Sequence, residues 1–111
     1  MLPAAMVHHL MLFKLKSDVT PAQTENIMVE TRIRLLKIAE VMNLRCGKKI
    51  DVKKNPHDVF VSMDFENMSK LNTARASALW VQYEKQVIEP NVTTLTEFDY
   101  EMDPGKDVAY S

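Results

Sequence analysis

Glycine and cysteine are scarce in this chain, and their scarcity excludes several kinds of protein. The only glycines are Gly47 and Gly105, and the only cysteine is Cys46. Loops that cradle phosphate groups need several glycines at fixed spacings, so P-loop and dinucleotide-binding sites are excluded. A single cysteine cannot form an internal disulfide, and the first residues lack the basic region of a secretory signal. We therefore expect a reduced thiol and a cytoplasmic protein.

An excess of charge and a long apolar run are also missing. The formal net charge is -1, and basic residues stand side by side only at Lys48-Lys49 and Lys53-Lys54. Because binding to nucleic acid needs clustered Lys and Arg, we expect no nucleic-acid partner. His8 and His9 interrupt the apolar stretch near the beginning, which is far shorter than the roughly 20 apolar residues of a membrane span. We therefore expect no membrane partner.

Length and composition are those of one globular domain. The chain has 111 residues, of which 46% are hydrophobic and 26% charged, and no repeat, linker or low-complexity tract divides it. We predict a single domain over residues 1–111. Its core would span about 6–101, and residues 102–111 would form an exposed tail with a turn at Pro104-Gly105.

A strand is predicted at 7–16, where apolar residues occupy both faces of an alternating pattern. Such a strand is expected to be covered on both sides. One face would carry Val7, His9, Met11, Phe13 and Leu15, and the other His8, Leu10, Leu12, Lys14 and Lys16.

The remaining elements follow from helix-start signals and from alternation. Thr20-Pro21 begins a helix that would end at 39–43, and further strands are expected at 43–52, 57–65 and 93–101. A short helix with Ser69 as N-cap is expected at 69–77, and a second helical piece at 78–89, stopped before Pro90. The apolar face of the first helix would consist of Ile27, Thr31, Leu35, Ile38 and Met42.

The predicted order β-α-β-β-α-β is that of an α+β, ferredoxin-like protomer, with a four-stranded antiparallel sheet and helices on one face. The other face would then expose Leu10, Leu12 and Phe60. Since monomers rarely expose such a patch, we expect a second copy of the chain to cover it in a homodimer.

Several segments of the sequence resemble the stress-responsive dimeric α/β-barrel proteins. The resemblance covers about residues 6 to 101 and implies a ferredoxin-like protomer whose sheets pack face to face in a dimeric α/β barrel. The matching segments are 6–16 (MVHHLMLFKLK), 19–23 (VTPAQ), 38–41 (IAEV), 47–50 (GKKI), 64–66 (DFE) and 97–100 (EFDY).

One enzyme of this fold, olivetolic acid cyclase, is distantly similar. The resemblance places Trp80 and Ala74 at its catalytic histidine and tyrosine positions, so its proton transfer is not carried over. The first-strand histidine, His9, is retained. The alignment with the cyclase also places Glu97 on the last strand. There its side chain would lie on the same face of the sheet as that of His9 on the first strand. Because these strands are neighbours in this topology, His9 and Glu97 are candidates for a general base and its orienting carboxylate. The alternative is a buried histidine that only stabilises the fold.

Three other residues are candidates for ligand binding. His57 would border the same cavity between sheet and helices, although a partly exposed position near the Pro56 turn is the simpler interpretation. Trp80 and Tyr83, three residues apart on one helical face, would wall an apolar pocket or simply pack in the core. A zinc site from His9, His57 and Glu97 is chemically possible but matches no known spacing, so we expect no metal and no cofactor.

Three functions therefore stay open. The leading hypothesis is a homodimeric stress-response protein with a small apolar pocket that binds a small apolar or aromatic molecule. The second is a cofactor-free cyclase or monooxygenase-like enzyme that uses His9 and Glu97, by analogy of fold. The third is a structural, stress-protective oligomer without a ligand.

Overall fold

The computed structural model describes residues 6–51 and 53–103. It contains the strands β1 (Val7–Leu15), β2 (Met42–Lys48), β3 (Val59–Phe65) and β4 (Val92–Glu101). The helices are α1 (Pro21–Leu35), α2 (Met68–Ala76) and α3 (Ala78–Tyr83), and α3 continues as a π-helical segment, Glu84–Ile88, and a last turn, Glu89–Asn91. No helix among the described residues is long and apolar enough to cross a membrane.

The strands form one antiparallel sheet in the order β2-β3-β1-β4. The predicted ferredoxin-like architecture is therefore confirmed. β1 lies in the centre of the sheet, and its His9 faces Met63 of β3 on one side and Asp99 of β4 on the other. This register decides which side chains reach His9.

The helices cover the face of the sheet that carries His9, and the core lies between them. The largest fully buried side chains there include Trp80, Tyr83, Phe13, Phe65 and Met11. Burial of these apolar side chains is the main contribution to the stability of such a fold. The opposite face, which we call the open face, carries Leu10, Leu12 and the half-exposed rings of Phe60, Phe98 and Tyr100.

Local signals account for most helix starts. The Thr20 hydroxyl accepts from the backbone N–H of Gln23, whose side chain accepts from the N–H of Thr20, so a complete capping box begins α1. The N-cap of α2 is Asn67, so the prediction of Ser69 was wrong. Both residue types can cap, but the Asn67 amide oxygen is the one that accepts from the Lys70 N–H.

Several boundaries differ from the prediction, among them the end of α1 and the end of the helical region before β4. α1 ends at Leu35, and Met42 lies on β2, where Asn43 adopts a positive φ of 50°. Asn tolerates this left-handed conformation better than most residues, so the chain turns into the strand there. Pro90 does not end the helical region, because it occupies the first turn of Glu89–Asn91, where its missing N–H is not needed.

Gly47 allows an aromatic ring to cross β2. A Cβ atom at this position would lie 2.4 Å from Cε1 of Phe60, which faces Gly47 from β3. The glycine that weakens the strand in isolation therefore makes room for Phe60 on the open face. Most of the predicted tail, from Pro104 onward, lies outside the described residues.

Candidate functional site

His9 is the most buried polar group in the centre of the sheet. Its exposed fraction is 0%, and it points from β1 toward the helices. The Trp80 ring of α3 lies 5.9 Å from the imidazole centroid, and the Phe65 ring of β3 packs edge-on at 6.4 Å. His9 is thus enclosed by aromatic side chains on the helix side.

Two carboxylates of β4 reach this imidazole from the same face of the sheet. His9 Nδ1 lies 2.5 Å from Asp99 Oδ1, a short hydrogen bond, and Nε2 lies 3.2 Å from Glu97 Oε2. The Glu97 contact is an ion pair, and Nε2 makes no well-aligned hydrogen bond within the described part of the chain. Because Glu97 and Asp99 remain 26% and 34% exposed, the cluster connects a buried ring with solvent.

These contacts change the proton affinity of the cluster. Burial of the imidazole acts to lower its pKa, but Glu97 and Asp99 outweigh burial, and the pKa of His9 lies above its ordinary value of 6.5. The contact with His9 lowers the pKa of Glu97, burial opposes this change, and Arg75 adds to it. The arrangement favours an imidazolium beside the two carboxylates. A protonated imidazole is suited to donating a proton and not to accepting one.

Arg75 and Glu84 extend the cluster to the protein surface. Arg75, in the last turn of α2, places its Nη2 atom 3.4 Å from Glu97 Oε2. Burial raises the pKa of Glu84, at the start of the π-helical segment, and the negative charge of Glu97 raises it further. A continuous series of charged groups therefore leads from His9 to solvent.

The structure brings together only part of the predicted site. Glu97 and Trp80 both lie beside His9. Tyr83 is fully buried and its hydroxyl lies 2.8 Å from Thr31 Oγ1 of α1, so it joins the helices. His57 is not beside His9: it is partly exposed next to the Pro56 turn, as the simpler of the two interpretations predicts, and it lines a depression on the open face with Leu12 and Phe60. β3 begins only at Val59, so the alternation does not extend back to His57.

Sequence reasoning missed Asp99, which makes the shortest contact with His9. A signal was available, because Asp99 follows Glu97 by two residues and must share its face on a strand. No group of three His, Cys, Asp or Glu side chains within residues 6–51 and 53–103 is arranged to hold a metal ion.

Solved structures with the same fold include both uncharacterised proteins and enzymes. A dimeric ferredoxin-like protein of unknown function from Thermobifida fusca is 17% identical, with 89% of this chain and 92% of that chain covered and a TM-score of 0.78. A hydroxynitrile lyase from Passiflora edulis is 15% identical, with 95% and 100% covered and a TM-score of 0.77. A cofactor-independent oxygenase from Streptomyces nogalater is 11% identical, with 92% and 97% covered and a TM-score of 0.70. At such identities these similarities establish the fold alone.

The family is established by the sequence itself. No curated protein matches the chain significantly. Residues 7–102, however, match the family described as the stress responsive A/B barrel domain, which confirms the resemblance drawn from the strand and helix motifs. Since the match includes every strand and every helix, the chain belongs to the stress responsive A/B barrel domain family.

Proposed function

We propose that the protein is a cytoplasmic homodimer in which each protomer binds a small, mostly apolar or aromatic molecule beside His9. The observation that carries the proposal is the fully buried imidazole of His9, whose Nε2 atom has no hydrogen-bond partner among the described residues. Glu97 Oε2 lies 3.2 Å from Nε2 as an ion-pair partner but does not complete an aligned hydrogen bond. A ligand that offers a carbonyl or hydroxyl oxygen to Nε2–H would supply that hydrogen bond.

The surroundings of His9 support an aromatic ligand with one polar group. The buried Trp80 ring supplies an apolar wall, and Glu97 is the partly exposed neighbour that a ligand would displace to reach His9 from solvent. Sites for small molecules commonly combine such apolar walls with a few convergent polar groups. Burial lowers the pKa of His9, but Glu97 and Asp99 raise it by more, which favours the protonated ring as a donor to the ligand oxygen.

Binding is tested by titration of the protein with acetophenone while the ring resonances of His9 are followed by NMR. We expect these resonances to shift, and ethylbenzene, which lacks the carbonyl oxygen, to shift them much less. In the variant His9→Phe, followed through the neighbouring Trp80 indole resonances, the preference for acetophenone should be lost, whereas His8→Gln, on the opposite face, should keep it. Equal responses to the two compounds would refute the proposed role of Nε2. No binding of either would favour the third hypothesis, a structural stress-protective oligomer without a ligand.

The dimer part of the proposal rests on the open face. Phe98 and Tyr100 are 45% and 53% exposed, their ring centroids lie 6.5 Å apart, and Phe60 lies on the same face. A contiguous apolar patch of this kind is rare on a monomer and suits two-fold pairing with a second copy. The dimeric description of the Thermobifida fusca protein supports the same assembly.

Light scattering at micromolar concentration tests the assembly. The native protein should have the mass of a dimer, and Phe98→Glu should convert it to a monomer by burying a charge in the interface. Val29→Glu is the matched control, because Val29 is similarly exposed but lies on α1, on the helix side. A monomeric native protein would contradict the proposal.

Catalysis is a second candidate function, supported by the short Asp99–His9 hydrogen bond. This bond makes Asp99, rather than Glu97, the better candidate for orienting the imidazole. The lyase and the cofactor-independent oxygenase indicate that proteins of this fold include enzymes. We propose His9 as a general acid toward a carbonyl oxygen, since its raised pKa disfavours the neutral base.

The pH titration of His9 by NMR tests this second function. Asp99→Asn should lower the pKa of His9 toward its ordinary value, because the charged hydrogen-bond acceptor is removed. An unchanged pKa in Asp99→Asn, or an ordinary pKa in the native protein, would remove the physical basis for catalysis by His9.

A further inference from the structure

One oxygen atom of Glu97 is shared by a buried and an exposed cationic group. Glu97 Oε2 lies 3.2 Å from His9 Nε2 and 3.4 Å from Arg75 Nη2. The His9 side chain is fully buried, whereas 26% of the Glu97 side chain and 42% of the Arg75 side chain are exposed. Glu97 therefore lies between His9 and solvent, and a ligand can reach Nε2 only when this carboxylate moves away.

The junction between α2 and α3 fixes the backbone of Arg75 beside this carboxylate. Ser77 is the one residue between the two helices, and its hydroxyl donates to the Ala74 carbonyl at 2.7 Å and accepts from the Trp80 N–H at 3.3 Å. Because the same residue ends α2 and begins α3, Arg75 and Trp80 are held on either side of it, one against Glu97 and the other against the His9 ring. The long, partly exposed side chain of Arg75 is still free to follow a carboxylate toward solvent.

Arg75 makes the displacement of Glu97 easier. A carboxylate that left the imidazole without another cation would break an ion pair beside a buried charge, which is costly. Arg75 offers Glu97 a second partner on the solvent side, where ion pairs are weak and rearrange readily. Asp99 keeps its 2.5 Å hydrogen bond to Nδ1, so the imidazole retains one carboxylate while a ligand occupies Nε2.

The charges of the cluster disfavour a ligand that is itself negative. Glu97, Asp99 and Glu84 supply three carboxyl groups against two cationic groups, His9 and Arg75. Glu84 is near enough for the negative charge of Glu97 to raise its pKa, although burial raises it more. Since like charges repel most strongly where water is excluded, a fourth carboxylate at Nε2 would be opposed, whereas a neutral oxygen would not.

We propose that Glu97 and Arg75 form a gate that admits uncharged carbonyl or hydroxyl compounds to His9 and rejects carboxylates of the same size. The inference rests on the proposed function, because it concerns the ligand that binds beside His9. In the closed position Glu97 contacts both His9 and Arg75, and in the open position it stays with Arg75 and leaves Nε2–H to the ligand. Arg75 is thus a positioning residue that acts through Glu97. The gate lies on the helix side of the sheet, so the second copy in the proposed dimer leaves it uncovered.

The test is a calorimetric titration of the full chain with acetophenone and with benzoate, which has a similar size and carries a carboxylate. At about pH 6 benzoate is ionised, and His9 lies below its pKa. We expect acetophenone to bind at least about tenfold more tightly than benzoate. Glu97→Gln, which keeps the shape and removes the charge, should reduce this preference at least about threefold.

Arg75→Met should weaken acetophenone binding about threefold or more, because Glu97 then has only His9 as its cationic partner. Arg75→Lys should restore most of the affinity, since it returns the positive charge. In the Glu97→Gln background, Arg75→Met should have almost no effect, because Arg75 acts through the charge of Glu97. A merely structural role of Arg75 would weaken binding equally in both backgrounds.

Lys70→Met is the control variant, because it removes an exposed positive charge from the same helix and should leave both affinities unchanged. Equal binding of acetophenone and benzoate would overturn the gate, and so would an effect of Arg75→Met that persists in Glu97→Gln. In both cases acetophenone still binds, so the proposed function stands. A native protein that binds neither compound would overturn both the gate and the proposed function.

Discussion

Two adjacent histidines lie in very different surroundings because β1 alternates between the faces of the sheet. His9 is fully buried under the helices, between Asp99 and Glu97. His8 lies on the open face, where its Nδ1 atom contacts Asp64 Oδ1 at 2.7 Å and about a third of its side chain is exposed. Both residues have a carboxylate partner, so the presence of an ion pair does not distinguish them.

The two histidines differ in how deeply their side chains are buried. A charge in water is already well solvated, so a half-exposed pair gains little from its partner. A charge in the core has lost its water, so it depends on the carboxylates that surround it. The comparison predicts that the helix-covered face carries the stability and the proton chemistry, and that polar groups on the open face are nearly neutral for folding.

The largest expected effect is the loss of the His9 side chain. His9→Ala should lower the free energy of unfolding by about 2–4 kcal/mol, because it leaves a cavity and two neighbouring carboxylates without their shared partner. His8→Ala should cost less than about 1 kcal/mol, because it removes one half-exposed pair. Urea unfolding of the two variants in the Phe98→Glu background, in which the open face is expected to be free of a second copy, measures both values.

Equal losses in the two variants would refute the comparison. Asp99→Asn provides a second measurement that creates no cavity. It should retain the hydrogen bond to His9 while removing its charge, and should therefore cost less than His9→Ala.

A smaller effect is expected for a hydroxyl group of the core. The Thr31 hydroxyl donates to the Ile27 carbonyl oxygen, so it accepts from the Tyr83 hydroxyl. The two hydroxyl oxygens are buried and lie 2.8 Å apart. Tyr83→Phe should cost about 1–2 kcal/mol, because a buried oxygen loses a hydrogen bond. The matched control is Tyr100→Phe on the open face, which should change stability by less than about 0.5 kcal/mol when both variants are made in the Phe98→Glu background, where no second copy covers Tyr100. Thermal and urea unfolding check the pair, and a cost for Tyr100→Phe as large as that for Tyr83→Phe would contradict the assignment of the faces.

The sequence predicts what depends on neighbouring residues. Alternation in β1 predicts that His9 and His8 lie on opposite faces, and Thr20-Pro21 predicts the start of α1, because both signals act within a few residues. The order of the elements predicts the sheet, since few topologies accommodate β-α-β-β-α-β.

What the sequence does not predict depends on register and on strand ends. Asp99 contacts His9 only because β1 and β4 pair in one register, which brings together residues separated by 90 positions. A shift of one residue would turn Asp99 to the open face. The alternative that placed His57 beside His9 is wrong because alternation has no meaning outside the strand, which begins at Val59. Register and strand ends are set by packing of the whole chain, which no local pattern contains.

The smallest expected effect is the pH dependence that His9 contributes. The pKa of His9 in the folded protein is higher than its ordinary value of 6.5, so the folded protein binds the proton more tightly than the unfolded chain does. The stabilisation is fully present below pH 6.5 and is lost as the pH rises through the folded pKa. Because burial opposes the carboxylates, the net effect is smaller than that of removing the side chain.

The pH range of the measurement has to end below the ordinary pKa of 9.0 for the Cys46 thiol, because burial raises the pKa of this thiol to about 11 in the folded protein. Between about pH 6 and 8.5, the free energy of unfolding of the native protein should fall relative to that of His9→Gln, which cannot titrate. His8→Gln should fall in parallel with the native protein. If His9→Gln instead parallels the native protein, the titrating group that stabilises this face is not His9.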